Sequence, residues 1–266
     1  MRLSIITINY NNKDGLKKTI DSVISQTYKD FEWVIIDGGS TDGSKELIEQ
    51  YADYITYWVS EPDKGIYNAM NKGIKASQGN FLWFLNSGDY LYNVNILMQV
   101  LPLLKEKDIY VGNMYRVDCV GKKWMSKEDF TPEGIVKKLT FSSFCHPSTI
   151  FNRRVFNNYG FYREDKKIAS DWFFYYKSLV MGNATLGEIP FVLTIFDNNG
   201  ISSKKTGTDY WESDEILQKY PQMYILHRFW RDNYEIVHAL HSNRFVFFLF
   251  RLYFWYYRKK RKLLSK

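Results

Sequence analysis

The chain has 266 residues, 45% of them hydrophobic, which is enough for one α/β domain with elaborations and too apolar for a disordered chain. Its formal charge of +7 is unevenly spread: residues 244–266 hold eight of the 36 basic residues and no acid, so residues 1–243 sum to −1. That distribution argues against a nucleic-acid-binding face on the main body, and the two cysteines, Cys119 and Cys145, imply no disulfide framework and suit a reducing cytoplasm. The 21 Tyr, 19 Phe and 8 Trp exceed what a core of this size needs, so some are expected to cover ligands or a membrane surface. The start of the chain enters a strand pattern at once, with no apolar h-region before a small-residue cleavage site, so export by a signal peptide is not expected. The sequon Asn183-Ala184-Thr185 then reads as a chance match.

Leu3 to Tyr10 is a β-rich run ending in Asn9-Tyr10-Asn11-Asn12, and Leu16, Ile20, Val23 and Ile24 follow at the spacing of one helix face, with Asp14 as a candidate cap. Phe31 to Ile36 repeats the scheme, running into Asp37 and a Gly-rich turn before a helix around Leu47, Ile48 and Tyr51. Tyr54 to Ser60 is a third strand, broken by Glu61-Pro62-Asp63-Lys64-Gly65 before a helix through Ile66, Met70 and Ile74. The fourth strand ends at Asn86-Ser87-Gly88-Asp89; an apolar run without alternation is buried on both faces, and ligands of such sheets bind beyond the strand carboxyl ends. Four strands alternating with helices predict a mostly parallel, Rossmann-like sheet with helices on both faces. Neither a Gly-x-Gly-x-x-Gly turn nor a P-loop accompanies it, which removes most of the weight from dehydrogenase and NTPase readings.

Beyond Leu104 the rhythm changes: Ile109 to Val117 and Lys122 to Met125 read as a meander, Pro132 to Leu139 as a helix, and Phe144 to Phe151 as a strand after a polar loop. Ala169-Ser170-Asp171 precedes an apolar helix, Trp172 to Met181, then a strand from Glu188 to Phe196. Residues 208–241 read as helical with a break at Pro221. The expected organisation is a domain over residues 1–205, with halves 1–104 and 105–205, and a helical extension over 206–266.

The strand-end Asn9-Tyr10-Asn11, the Asp37-Gly-Gly-Ser-Thr-Asp-Gly-Ser turn, the run Ser60-Glu-Pro-Asp-Lys-Gly-Ile-Tyr-Asn-Ala-Met-Asn-Lys-Gly73 and Phe84-Leu-Asn-Ser-Gly-Asp89 together resemble family 2 glycosyltransferases with a GT-A fold. His146-Pro147-Ser148, Ser170-Asp171-Trp172 and Asn199-Gly200-Ile201-Ser202 resemble the later motifs in order and spacing, so the likeness covers residues 1–202. Within the family the chain looks most like enzymes of bacterial exopolysaccharide, capsule or O-antigen assembly. The resemblance implies an inverting transfer of a sugar from a nucleotide diphosphate donor, usually a UDP-sugar, to a hydroxyl of a saccharide or lipid-linked acceptor. It implies Thr7, Asn9, Tyr10, Asp37, Asp63, Lys64 and Asn86 as the donor side, His146 and Trp172 as the acceptor side, and Asp171 as the catalytic base. Asp89 would hold Mn²⁺ or Mg²⁺ against the diphosphate. The usual Asp-x-Asp-Asp is here Asn86-Ser87-Gly88-Asp89, with a single carboxylate, and Asn68 stands where aspartate is more usual.

Bland readings accompany these. Asn-Ser-Gly-Asp is also a turn, Asp171 also a helix cap, Lys64 also a solvated lysine and His146 also a core histidine. His227, His238 and His241 lack acidic or thiol companions and read as helix-surface histidines rather than a zinc site. Residues 245–257 are apolar apart from Arg251, shorter than the ~20 needed to cross a bilayer as a helix, and run into Arg258-Lys-Lys-Arg-Lys262. That pattern predicts an anchor on the inner face of the cell membrane, with packing on protein or on a second copy in a homo-oligomer as the alternative. Two other function classes fit the fold, a non-catalytic nucleotide-sugar-binding or scaffold protein and a nucleotidyltransferase; the latter needs a Gly-rich basic loop where this chain has Asn9-Tyr10-Asn11-Asn12.

Overall fold

The computed structural model describes residues 3–118 and 120–197, and beyond them 212, 215–220, 224, 227–229 and 232–233. The first half alternates β1 (Leu3–Asn9), α1 (Lys13–Ile24), β2 (Glu32–Asp37), α2 (Ser44–Gln50), β3 (Tyr57–Ser60), α3 (Ile66–Ala76) and β4 (Phe81–Phe84). After β5 (Tyr90–Leu91) and α4 (Ile96–Val100) come β6 (Ile109–Val117), β7 (Lys123–Ser126), α5 (Pro132–Phe141), β8 (Thr149–Asn152), α6 (Arg154–Tyr159), α7 (Ser170–Tyr175) and β9 (Leu186–Asp197).

These strands form one sheet in the order β3-β2-β1-β4-β8-β6-β9-β5, with β7 paired to β6. β3, β2, β1 and β4 are parallel, and their register sets Asn9 beside Asp37 and Asp37 beside Ser60 at one edge. β8 runs antiparallel between β4 and β6, whereas β6 and β9 are parallel with irregularities around Asn113. The second half is therefore mixed, as the lost strand-helix rhythm after Leu104 foretold.

Every residue of β1, β2 and β4 is buried, which is why these strands carry no polar alternation. On one face Leu3, Ile5, Trp33 and Ile35 join Leu16, Ile20 and Val23 of α1, Ile48 of α2 and Leu97 and Val100 of α4 in a single core. The other half of the pleat meets aromatic rings: Phe84 packs edge-on against Phe151, Phe156 and Tyr162, and Phe174 of α7 stacks on Phe156 at 4.7 Å. Much of the aromatic surplus is thus a second core layer, not a ligand cover. Truncating any one of these fully buried groups to alanine should cost about 2–5 kcal/mol.

Local differences from the sequence reading have physical causes. Asn12, whose Oδ1 accepts the Gly15 N–H at 3.2 Å, caps α1, and Asp14 lies inside the first turn. β3 starts only at Tyr57, after a 3₁₀ turn at Ala52–Tyr54. His146–Ser148 also form a 3₁₀ turn, because Pro147 lacks the N–H that a strand ladder would use, and β8 starts at Thr149. The helix expected from Trp172 begins at Ser170 and passes into a π-helical turn at Tyr176–Met181. The chain divides into compact units at residues 1–213 and 214–266. In the second, residues 215–218 are helical and Ile216 and Leu217 are buried. The Gly200-Ile201-Ser202 motif, the boundary expected at 205/206, His238, His241 and the aromatic-basic tail lie outside the described residues.

Candidate active site

At the carboxyl edge of the parallel strands the polar loops are stitched together. The Asp37 carboxylate is fully buried and accepts four bonds: from Asn9 Nδ2 (2.7 Å) and Ser40 Oγ (2.6 Å) on Oδ1, and from the Ser40 N–H (2.9 Å) and Ser60 Oγ (2.6 Å) on Oδ2. Burial pushes this carboxyl up, but the bonds donated by Ser40, Ser60 and Asn9 outweigh it and hold the group below its ordinary value. Through these bonds Asp37, expected to meet a base or ribose, ties the ends of β1, β2 and β3 to one another. The acceptor left over is Asn9 Oδ1, a buried atom with no hydrogen-bond partner.

The loop after β1 is joined to the loop after β2 by the Asn11 N–H to Ser40 Oγ (2.7 Å) and the Thr41 N–H to Asn11 Oδ1 (2.8 Å), and Tyr10 is left exposed. Asp63 reaches this edge from the loop after β3. Its Oδ1 accepts the Gly65 N–H at 2.8 Å, and its Oδ2 stands 2.6 Å from where a Cβ on residue 38 would be, so a side chain at that position would displace the Asp63 carboxylate. Lys64 is exposed on the same loop.

Beyond β4, Asn86 Oδ1 is a second buried acceptor without a partner. Asp89 is buried, and its Oδ1 accepts the main-chain N–H of Asp197 at 3.1 Å; burial first, and then the Asp197 carboxylate, push its carboxyl well above the ordinary value. Among the described residues no group of three His, Cys, Asp or Glu could hold an ion alone. The donors present are hard oxygens, and Mg²⁺ and Mn²⁺ take few protein ligands when phosphates supply the rest, so the residues fit such a cation.

The Asp171 side chain lies across the aromatic layer. It sits within the first turn of α7, whose cap is Ala169, so the cap reading does not apply. Its Oδ1 accepts from the Trp172 N–H at 2.8 Å and from the Tyr67 hydroxyl at 3.0 Å. Burial and then the Asp171 charge push the Tyr67 phenol well up, so Tyr67 stays a donor; it also bonds to the Ile168 carbonyl. Because Tyr67 is the second residue of α3, just after the Asp63-Lys64-Gly65 loop, one helix N-terminus connects the strand-end edge to Asp171.

Three of the expected site residues are buried side chains. Thr7 is fully buried, with its hydroxyl accepting from Trp33 Nε1, so its side chain is a core group. Trp172, expected on the acceptor side, is buried with its indole N–H on the Leu139 carbonyl. His146 is buried against Phe84 and Phe151 with Nε2 on the Tyr162 hydroxyl at 2.8 Å, and burial lowers its pKa to about 3; the core-histidine reading is the one the packing supports. Sequence reasoning passed over Tyr67, Glu164 and Glu212. Glu164 accepts from Asn68 Nδ2 (2.8 Å) and Asn71 Nδ2 (2.9 Å), and the Glu212 carboxylate accepts the N–H groups of Lys167, Ile168 and Ala169 at 2.8–3.0 Å. Only the Asn at position 68, where aspartate is more usual, gave a signal: it can donate to a carboxylate and aspartate cannot.

Residues 4–160 match the model of Glycosyl transferase family 2. An uncharacterised glycosyltransferase of Mycobacterium tuberculosis is 28% identical over 238 residues, covering 82% of this chain and 85% of that protein. A PGL/p-HBAD biosynthesis glycosyltransferase of Mycobacterium bovis is 29% identical over 178 residues, covering 64% and 67%. Among solved structures, Staphylococcus aureus TarS 1–349 in complex with UDP-GlcNAc superposes with a TM-score of 0.64 at 19% identity, covering 82% of this chain and 65% of that one. The mannosyltransferase PcManGT of Pyrobaculum calidifontis, in complex with GDP-Man and Mn²⁺, gives 0.57 at 18%, covering 84% and 64%. This chain spans 39% of the longer TarS chain, so the likeness to the solved structures is one of fold. With more than half its length matched by the family model and its sheet arranged as in those enzymes, the chain belongs to glycosyl transferase family 2.

Proposed function

We propose that the protein transfers a sugar with inversion from a UDP-sugar to a hydroxyl of a saccharide or lipid-linked acceptor in the assembly of a bacterial surface polysaccharide. The observation that carries the reading is the Tyr67–Asp171 contact, which ties a carboxylate to the helix that starts at the strand-end edge. The nucleotide lies along that edge, with Tyr10 beside the base and Asn9 Oδ1 and Asp63 as acceptors. Asp171 takes the proton of the acceptor hydroxyl while its oxygen attacks the anomeric carbon from the face opposite the leaving diphosphate. A divalent cation, when bound by Asp89 and the phosphates, supplies charge for that leaving group. Nucleotide-sugar ligands in the TarS and PcManGT complexes support a donor of this class, and Mn²⁺ in the latter supports the cation.

The test is thermal shift with UDP, GDP and dTDP, then nucleotide release from the matching nucleotide sugars with and without acceptor saccharides. Acceptor-dependent release of UDP is expected. Binding without any acceptor-dependent release would favour a non-catalytic sugar-nucleotide-binding protein instead.

A further inference from the structure

We propose that Arg116, flanked by Trp124 and Phe196 on one face of the sheet, forms an acceptor subsite that takes a sugar carrying an oxyanion, either a phosphate or a carboxylate. The inference rests on the sugar-transfer reading above and names the chemical class of the acceptor.

Strand register builds the row. Arg116 stands opposite Trp124 of β7 and opposite Phe196 of β9, so the three side chains leave the sheet on the same face, with the guanidinium 5.4 Å from the centre of the Phe196 ring. Arg116 and Phe196 are each the last residue but one of their strands, which run in the direction of β4, and the next residue of β9, Asp197, donates its N–H to Asp89. The row therefore lies beside the carboxyl edge of the sheet.

Two contacts fix which face this is. Arg116 Nη2 donates to Cys145 Sγ at 3.0 Å, and Thr194, two residues before Phe196, shares a hydroxyl bond with Ser148 at 2.8 Å. Cys145 and Ser148 bracket the turn that lies under the aromatic layer. Phe144, next to Cys145, packs edge-on against Tyr175 of α7 at 5.5 Å, and Trp172 of the same helix bonds to the Leu139 carbonyl of α5. The row is thus on the side of the sheet that carries α7 and Asp171.

Arg116 is short of acceptors. A guanidinium presents five N–H donors in a planar fork that matches a carboxylate or phosphate, and here one of them goes to a thiol, which accepts weakly. Among the described residues it has no carboxylate partner: Glu128, whose charge also reaches Cys145, is held by Lys138 at 3.0 Å. The half-buried cation is left for an oxyanion from outside the chain. Phe196 lies under the guanidinium and limits where its fork can point, and Trp124, 37% exposed, offers ring surface to the C–H side of a sugar. Charge and stacking surface together suit one charged sugar.

The experiment is saturation-transfer NMR of the full chain, with UDP saturating the donor side, titrated with methyl β-glucoside, methyl β-glucuronide and methyl β-glucoside 6-phosphate. In the native protein at least one charged glycoside is expected to bind at least about tenfold more tightly than the neutral one, the contribution of a charge-assisted pair. A gain for one probe or for both says which oxyanion the subsite takes. Arg116→Gln is expected to abolish the preference with UDP binding and melting temperature unchanged, and Arg116→Lys to keep a smaller one, since lysine retains the charge and loses the fork. Trp124→Ala should weaken all three glycosides about fivefold and leave the preference in place. A native preference below about twofold overturns the proposal, as does an undiminished preference in whichever Arg116 variants fold, or native affinities in Trp124→Ala. Where UDP binds and the native preference is missing, the donor-site reading stands without this inference. Failure of UDP, GDP and dTDP alike to bind brings down that reading and this inference with it.

Discussion

Asp171 makes two bonds that an amide oxygen could also accept, from the Trp172 N–H and the Tyr67 hydroxyl, so Asp171→Asn changes charge and basicity with little change in packing. Transfer is expected to fall by at least about 10²-fold, the usual contribution of a positioned general base, with UDP binding and melting temperature preserved. Near-normal turnover would move the base elsewhere, with Asp165 the next carboxylate to test. His146 yields a prediction of a different kind. Its folded pKa of about 3 lies below the unfolded value near 6.5, so the unfolded chain binds the extra proton and stability falls as pH drops from about 6.5 toward 3. Between pH 7 and 5 this one ring accounts for about 2 kcal/mol of lost stability. His146→Gln should therefore show a smaller drop in melting temperature over that interval than the native protein, even if it starts lower; an equal drop would mean the ring is solvated.

Among the elements, the loop from Tyr162 to Ala169 and the start of α3 hold Asp171 in place. Asn71 exchanges two bonds with the Tyr162 backbone, Glu164 bridges Asn68 and Asn71, and Tyr67 spans Ile168 and Asp171. Tyr67→Phe deletes one bond to the base and keeps the ring in its layer, so kcat should fall about tenfold with little change in donor KM. A rise in KM at constant kcat would instead place Tyr67 on the donor. Glu212 is the second support, a carboxylate filling a row of three backbone N–H groups just before α7. Glu212→Ala should speed hydrogen exchange at residues 167–169 by at least about tenfold, while amides of β1 and β2 stay protected. None of these supports has a local signature, because each joins residues about 40 to 100 positions apart and consists of ordinary surface-type side chains.

The whole molecule shows where sequence is informative. The parallel half was legible because burial on both faces removes alternation from β1, β2 and β4, and because each strand ends in turn formers, with an acid among them after β2 and β4. Thr7 and Trp172 fell on the expected elements and His146 in a turn instead of a strand, and all three proved to be buried, since a position in the chain does not reveal whether a side chain is already partnered by its neighbours. Beyond the described residues the tail still has a physical reading. We propose that the thirteen largely apolar residues followed by five consecutive basic ones, Arg258 to Lys262, serve as a surface anchor, being too few to span a bilayer as a helix, with each basic group near anionic headgroups contributing about 1 kcal/mol. Among the described residues no helix is long and apolar enough to cross a membrane. The full chain should therefore co-sediment with vesicles of mixed phosphatidylglycerol and phosphatidylcholine, and binding should weaken as salt shortens the Debye length from about 10 Å at 0.1 M to about 3 Å at 1 M. Replacing Arg258 to Lys262 with Gln should reduce binding while leaving UDP-dependent thermal shift unchanged, because the residues proposed for the donor side, Asn9 to Asn86, are far from the tail in sequence. Replacing Phe247, Phe250, Phe254 and Trp255 with Ser tests the apolar half separately: salt-resistant binding should disappear and a weak, salt-sensitive component remain. Binding to neutral vesicles as strong as to anionic ones would remove the electrostatic half of the argument, and no binding to either would assign the tail to packing on protein.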